Sequence, residues 1–209
     1  MDRKGILLVV SGFSGAGKGT LMKELVGRYD NYALSISATT RSPREGELDG
    51  REYFFRTKEE FEQMIADDAL IEHACYVGNY YGTPRAYVEE QLALGRDVIL
   101  EIEIQGALQS KKRFPDTLLL FVSTPDAETL KNRLIGRGTE SLDVVEKRLS
   151  RASEEAEGIE NYDYFIINDD LDTCVTQVHQ IIQGEHSRVS RNLELINTIK
   201  KDISKFQKG

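Results

Sequence analysis

Short uninterrupted apolar runs alternate along the chain with stretches in which apolar residues recur every three or four positions. Ile6–Val10 is such a run, closed by a glycine-rich turn, and predicts a strand buried on both faces. Leu21, Leu25 and Val26 follow at helical spacing, predicting a helix over 20–29. Leu34–Ser37 and Tyr53–Phe55 predict two short strands around a polar, turn-rich loop at 38–51. Thr57 and Glu60 form a Thr-x-x-Glu capping box that opens a helix over 57–67. A hairpin around Gly78 joins 70–77 to 79–82, and a helix over 84–94 has Pro84 near its first turn. The second half repeats the alternation. Strands are predicted at 98–103, 117–122 and 164–167, with helices over 105–114, 125–135, 141–158 and 171–182. In the first of these strands Glu101 and Glu103 fall on one face. Repeated strand–helix units with continuous apolar strands define an α/β fold around a parallel sheet.

Residues 185–209 break the pattern. Leu193, Ile196, Ile199 and Ile203 form a sparse apolar stripe, in a tail of net charge +3 against −11 for the remainder. The stripe suits either a terminal helix lying on the domain or a contact between subunits.

Composition narrows the function. The 209 residues carry 27 basic and 35 acidic side chains, a net −8, which disfavours nucleic acid and anionic membranes as partners. No apolar run approaches a membrane span or a signal-peptide core, so a cytoplasmic protein is expected. Cys75 and Cys174 are too few for a disulfide framework and are expected as free thiols. His73, His179 and His186 lack metal-ligand spacing and are expected as ordinary surface or strand residues.

The turn after the first strand carries the clearest chemistry. Gly12-Phe13-Ser14-Gly15-Ala16-Gly17-Lys18 has the spacing Gly-x-x-x-x-Gly-Lys between a strand and a helix. Glycines let the backbone N–H groups turn inward to hold phosphate oxygens, the helix N-terminus adds positive charge, and Lys18 reaches the outer phosphates. Gly19 occupies the usual hydroxyl position and Thr20 comes one later, so a Mg²⁺ held largely by water and nucleotide fits best. A second anion site is predicted in the loop Thr39–Glu47. There Arg41 and Arg44 flank Pro43, and Tyr53 and Tyr81 could add phenolic donors. Two solvated arginines remain the alternative for that loop.

Six segments, in order, resemble the guanylate kinase family. They are Ser11 to Thr20, Ser37-Ala38-Thr39-Thr40-Arg41-Ser42-Pro43-Arg44, Gly50-Arg51-Glu52-Tyr53, Gly78-Asn79-Tyr80-Tyr81-Gly82-Thr83, Glu101-Ile102-Glu103-Ile104-Gln105-Gly106 and Arg137-Gly138-Thr139-Glu140. The resemblance spans about 5–182 and implies a three-layer phosphate-loop fold with a central parallel sheet. Its core would be 1–37, 84–125 and 159–184, its GMP-binding subdomain 38–83, its helical lid 126–158, with 185–209 outside. It implies transfer of phosphate from ATP to GMP, and plausibly to dGMP, with Mg²⁺, in purine nucleotide metabolism. Residue by residue, Gly12 to Thr20 match the ATP phosphate site, and Arg41, Arg44, Tyr53 and Tyr81 match positions that hold the GMP phosphate. Ser37, Glu72 and Thr83 match positions that read guanine, and Glu103 an acid near the GMP ribose and base. Arg133, Arg137, Arg148 and Arg151 match lid arginines, and Asn168 a residue near adenine. Glu101 and Glu103 stand where the family more often has Asp. Glu101 could face the water shell of Mg²⁺ or bond loop N–H groups.

Guanine offers two donors, N1–H and the 2-amine, to one carboxylate such as Glu72, whereas adenine presents a lone pair at N1. The hydroxyls of Ser37 and Thr83 could donate to guanine O6. Two other functions stay open at this level: an inactive interaction module of the same fold, and a kinase for AMP or a pyrimidine monophosphate. The intact Lys18 and lid arginines oppose the first, and Glu72 opposes the second. Oligomeric state is undecided by the sequence.

Overall fold

Strands that are apolar on both faces pair side by side, and helices cover each face of the sheet they make. The computed structural model describes residues 4–76, 78–136 and 142–207. Five strands, β1 (Leu7–Gly12), β2 (Tyr32–Leu34), β7 (Asp97–Glu101), β8 (Leu118–Ser123) and β9 (Tyr164–Ile167), form a parallel sheet in the order β2-β7-β1-β8-β9. Alternation along β1 divides the core. Leu8 and Val10 face Leu21 and Leu25 of α1 (Lys18–Arg28) and Val175 and Val178 of α7 (Leu171–His186). Leu7 and Val9 face Val88 and Leu92 of α3 (Arg85–Ala93) and Ala107 of α4 (Ile104–Arg113).

A second sheet holds β3 (Ala38–Thr39), β4 (Phe54–Phe55), β5 (Leu70–Tyr76) and β6 (Asn79–Pro84) in the order β4-β3-β6-β5. Its own core is Ala38, Phe61 and Leu70, with Phe61 supplied by α2 (Lys58–Ala66). The capping box at the start of α2 is formed as the sequence predicts, Thr57 bonding Glu60 N and Glu60 bonding Thr57 N at 2.7 Å. The Arg113 guanidinium fixes this sheet to the main body, donating to Leu70 O at 2.5 Å and pairing with Asp68 at 2.8 Å. A third unit is α5 (Ala127–Ile135) packed on α6 (Leu142–Ala156) through Leu130, Leu134, Val145 and Ala152, with Phe13 joining it to the glycine turn.

Several boundaries differ from the sequence reading. The strand expected at 34–37 lies at 32–34, because Tyr32 and Leu34 pair with Asp97 and Ile99 of β7. Strand β7 ends at Glu101, so Glu103 leaves the strand and becomes the N-cap residue of α4. The two glutamates therefore do not share a strand face. Pro84 closes β6 and precedes α3 rather than lying inside it.

Two histidines are not the surface residues expected. His186 Nε2 lies 2.8 Å from the fully buried Asp97, whose carboxylate also accepts from Ile6 N and from Asn31. His179 stacks on Tyr29 with ring centres 3.6 Å apart and bonds Tyr32 Oη at 2.7 Å. Next to His186, the buried Glu185 accepts from Tyr164 Oη at 2.8 Å and pairs with Arg188. Cys75 and Cys174 are both free, and burial pushes the Cys174 thiol up to about 11. The tail helix, α8 (Leu193–Ser204), buries none of its residues, and Leu193, Ile199 and Ile203 are about half exposed. Ile196, the other residue of the stripe, is partly covered. No helix among the described residues is long and apolar enough to cross a membrane.

Candidate active site

The C-terminal edge of a parallel sheet is where ligands bind in α/β folds, since loops and helix N-termini converge there. Gly12 leaves β1 at φ 153°, and a Cβ on it would lie 2.1 Å from Val122 O of β8, so only glycine fits. Gly17 takes φ 88° as the N-cap residue of α1 and supplies no side-chain cap. By contrast α2, α5 and α7 are capped by Thr57, Asp126 and Asp170. The first N–H groups of α1 thus have no side-chain acceptor, as is also true of α3, α4 and α8, and in α1 they open at the glycine turn. Lys18 Nζ donates to Gly12 O at 2.7 Å and Phe13 O at 3.1 Å, curled over the same turn.

A cleft of about 660 Å³ opens above this turn. It is lined by Gly12, Ser14 and Lys18 from the glycine turn and α1, and by Ser37, Tyr53 and Tyr76 from in and around the small sheet. Glu101 and Glu103 line it as well, and α6 contributes Arg148, Arg151 and Glu155. Nine of the sequence-predicted residues meet there: Gly12, Ser14, Lys18, Ser37, Tyr53, Glu101, Glu103, Arg148 and Arg151. Arg148 Nη1 lies 3.5 Å from Ser14 Oγ. Arg151 Nη2 donates to both Glu103 oxygens at 2.6 Å, so a residue predicted for the ATP side touches one predicted for the GMP side. Arg137, with Gly138, Thr139 and Glu140, lies outside the described residues.

The other predicted residues among those described do not line this cleft. Arg41 is held by Glu47 at 3.0 Å and lies over the Tyr53 ring, 5.3 Å from its centre. Glu47 also accepts from Arg44 N at 2.7 Å, and that bond and Arg41 hold its carboxyl below the usual carboxylate range. Tyr81 packs edge-on against Tyr53, and Arg44 is exposed in the loop. Glu72 is 6% exposed and accepts from Thr83 Oγ1 at 2.7 Å. The Thr83 proton is thus directed to Glu72 rather than outward, as the O6 reading required. A Cβ on Gly106 would lie 3.0 Å from Glu72 Oε2, so glycine at this point of α4 leaves the carboxylate its space. Burial holds Glu72 above the usual carboxylate range, with Thr83 pulling the other way.

Thr20 is exposed in the first turn of α1, and Glu101 Oε2 lies 4.0 Å from where a Gly19 Cβ would be. These are hard oxygen donors beside the glycine turn. Arg133, in the last turn of α5, is half-buried and does not line the cleft. Asn168 is 5% exposed, and its amide donates to Ala16 O at 2.8 Å. It supports the glycine turn from beneath instead of lying open to a base. Two participants escaped the sequence reading, Glu47 and Tyr76, whereas Glu155 pairs with Arg151 at 3.4 Å, as the alternative of an ion-pair face on α6 expects. Glu47 was visible three residues after Arg44, at the spacing of a turn, but the partner of Tyr76 is 75 residues away.

A glycine turn between β1 and an uncapped α1, at the edge of a five-stranded parallel sheet, defines a phosphate-loop nucleotide-binding α/β protein. The family model described as guanylate kinase matches residues 4–185. The chain belongs to the guanylate kinase family. It is 52% identical over 191 residues to guanylate kinase of Bacillus anthracis, covering 91% of this chain and 93% of the relative. It is 47% identical over 208 residues to guanylate kinase of Listeria innocua, covering 99% of this chain and 100% of the relative. The crystal structure of guanylate kinase from Anaplasma phagocytophilum superposes with a TM-score of 0.71 at 30% identity, covering 90% of this chain and 89% of that one.

Proposed function

We propose that this chain transfers the γ-phosphoryl group of ATP to GMP, and to dGMP, giving ADP and GDP or dGDP. The observation that carries the reading is the single cleft lined together by the glycine turn, Lys18, Ser37, Tyr53, Arg148 and Arg151. Two anionic nucleotides held there would meet phosphate to phosphate. Family membership supports the same reaction.

Phosphoryl transfer asks mainly for positioning and for positive charge around the moving group. The N–H groups of residues 12–20 hold the ATP phosphates, and Lys18 leaves the loop carbonyls for the outer ones. Arg41, Arg44, Tyr53 and Tyr81 hold the GMP phosphate, with Glu47 keeping Arg41 aimed. Glu72 accepts from guanine N1–H and the 2-amine, and Thr83 orients Glu72. Ser37 and Glu103 complete the nucleoside side. Arg133, Arg137, Arg148 and Arg151 belong to a lid, 126–158, that closes over ATP, and 38–83 close over GMP, excluding water. The attacking GMP oxygen is already anionic, so no general base is needed. Thr20 and Glu101 would hold a Mg²⁺ largely through its waters, and the ion would neutralise phosphate charge. The same reading places the chain in the cytoplasm, in keeping with two free thiols.

A panel of GMP, dGMP, AMP, CMP and UMP with MgATP, read by coupled ADP release, tests this. Turnover is expected with GMP and dGMP, and a kcat/KM at least about 10³-fold lower with the others, because a hydrogen-bonding base site rejects analogues that leave it unpaired. Fast turnover of AMP without GMP overturns it.

Glu72 makes the reaction sensitive to acid. Its raised pKa means that, as pH falls from 7, it takes up a proton earlier than an ordinary carboxylate and ceases to accept from guanine. The KM for GMP is therefore expected to rise on acidification. The stability contributed by this group has the opposite sense, being present at low pH and lost as pH rises through the folded-state pKa. GMP's own phosphate titrates near pH ~6. Glu72→Gln, which meets the same phosphate, supplies the baseline, and parallel profiles for the two proteins count against the assignment.

A further inference from the structure

The Arg151 guanidinium lies where three separately built parts of the molecule meet. It projects from α6, and its Nη2 binds Glu103 at the start of α4. Its Cζ lies 5.2 Å from the centre of the Tyr76 ring, and Nη1 donates to Tyr76 Oη at 3.3 Å. Tyr76 is the last residue of β5, in the small sheet. Glu155, one turn along α6, lies 3.4 Å from Nε. One cation thus has two carboxylates beside it and lies over an aromatic ring whose hydroxyl accepts from it.

An exposed tyrosine on a strand end needs no special account. Tyr76 differs because it is 53% exposed and yet turned into the cleft that Lys18 and Arg148 line. Nothing in the phosphate-holding or base-reading sets uses it.

We propose that Tyr76 is a positioning residue that keeps Arg151 at the cleft while Glu103 engages the bound nucleoside, tying the position of α6 to the small sheet. This rests on the kinase reading of the cleft given above. The argument is one of competing demands. Glu103 has one carboxylate, claimed by Arg151 in this structure and by the nucleoside in the reaction. Its side chain is 67% exposed, so the ion pair alone is screened and weak. An aromatic face attracts a cation without using that carboxylate, and still does so when Glu103 is otherwise engaged. Tyr76 thereby helps place Arg151 near the transferring group and serves kcat more than the affinity of either nucleotide.

The test compares Tyr76→Leu, Tyr76→Phe, Arg151→Met and the Tyr76→Leu/Arg151→Met double variant in the full chain, with thermal melts as a folding control. Tyr76→Leu is expected to lower kcat about 3- to 10-fold with both KM values nearly unchanged. Tyr76→Phe keeps the ring and recovers most of the rate. In the Arg151→Met background Tyr76→Leu has no further effect, because the partner is gone. The proposal is overturned if Tyr76→Leu leaves kcat intact, slows the Arg151→Met enzyme as much as the parent, or is not rescued by the ring in Tyr76→Phe. Absence of GMP turnover in the unmodified protein overturns the kinase reading instead. The contact itself is then decided by the ¹⁵N–¹H side-chain signal of Arg151. Ring current shifts that signal in the parent, and a signal unmoved by Tyr76→Leu shows that the ring does not hold the guanidinium.

Discussion

Replacing Lys18 by alanine is expected to lower GMP-dependent ADP release by about 10²- to 10³-fold, the usual cost of deleting one preorganised charge donor at a transferring group. The KM for GMP should hardly move, because Lys18 Nζ sits on the glycine turn and belongs to none of the sets proposed to hold GMP. The fold should persist as well. Nζ donates to two carbonyls of its own loop, and α1 is seated by Leu21, Met22 and Leu25 rather than by its first residue. Circular dichroism and a melt check the fold, and the coupled assay checks the rate. Arginine should be a poor substitute, since its planar fork does not fit where a compact ammonium can move between loop carbonyls and phosphate. Turnover of the alanine variant close to that of the parent would remove Lys18 from the proposed machinery.

Glu72→Gln is expected to cut kcat/KM for GMP by about 10²- to 10⁴-fold, from two charge-assisted hydrogen bonds at about 1.5–3 kcal/mol each. The amide can accept only through its single oxygen, and its NH₂ would meet the guanine donors with a donor of its own. Thr83 donates to this carboxylate and Gly106 leaves it space, so the glutamine would fit the pocket and fold but present the wrong edge. The loss should be far smaller with inosine monophosphate, which lacks the 2-amine and therefore half of the contact. Equal losses with both substrates would mean that Glu72 supports the sheet and does not read the base.

Features set by neighbours in the chain were legible in the amino-acid order. The glycine turn and the Thr57–Glu60 box depend on residues within a few positions of one another, and both form as read. Features set across the chain were not. The second strand was misplaced because Tyr32 is fixed by its pairing with Asp97, a partner 65 positions away that no local pattern reveals. Glu103 was read as continuing β7, since alternation cannot tell where a strand stops when the next residues start a helix. The directions of the Thr83 and Asn168 side chains follow from Glu72 and Ala16, partners 11 and 152 positions away. The apolar stripe of α8 was visible, whereas its exposure depends on which surface the helix meets.

Glu185 and His186 bear on how the protein can be shortened. The family match stops at residue 185, inside the last turn of α7. Cutting there deletes the imidazole that meets the interior Asp97 and the Arg188 that pairs with Glu185, leaving two interior acids short of a partner. Leaving a buried polar group short of a hydrogen-bond partner costs about 1–3 kcal/mol, and more for a charged one. Asn192 closes this region by donating to His186 O and Arg188 O. A minimal fragment designed on the family boundary would therefore be destabilised, and one ending just beyond Asn192 would keep these contacts.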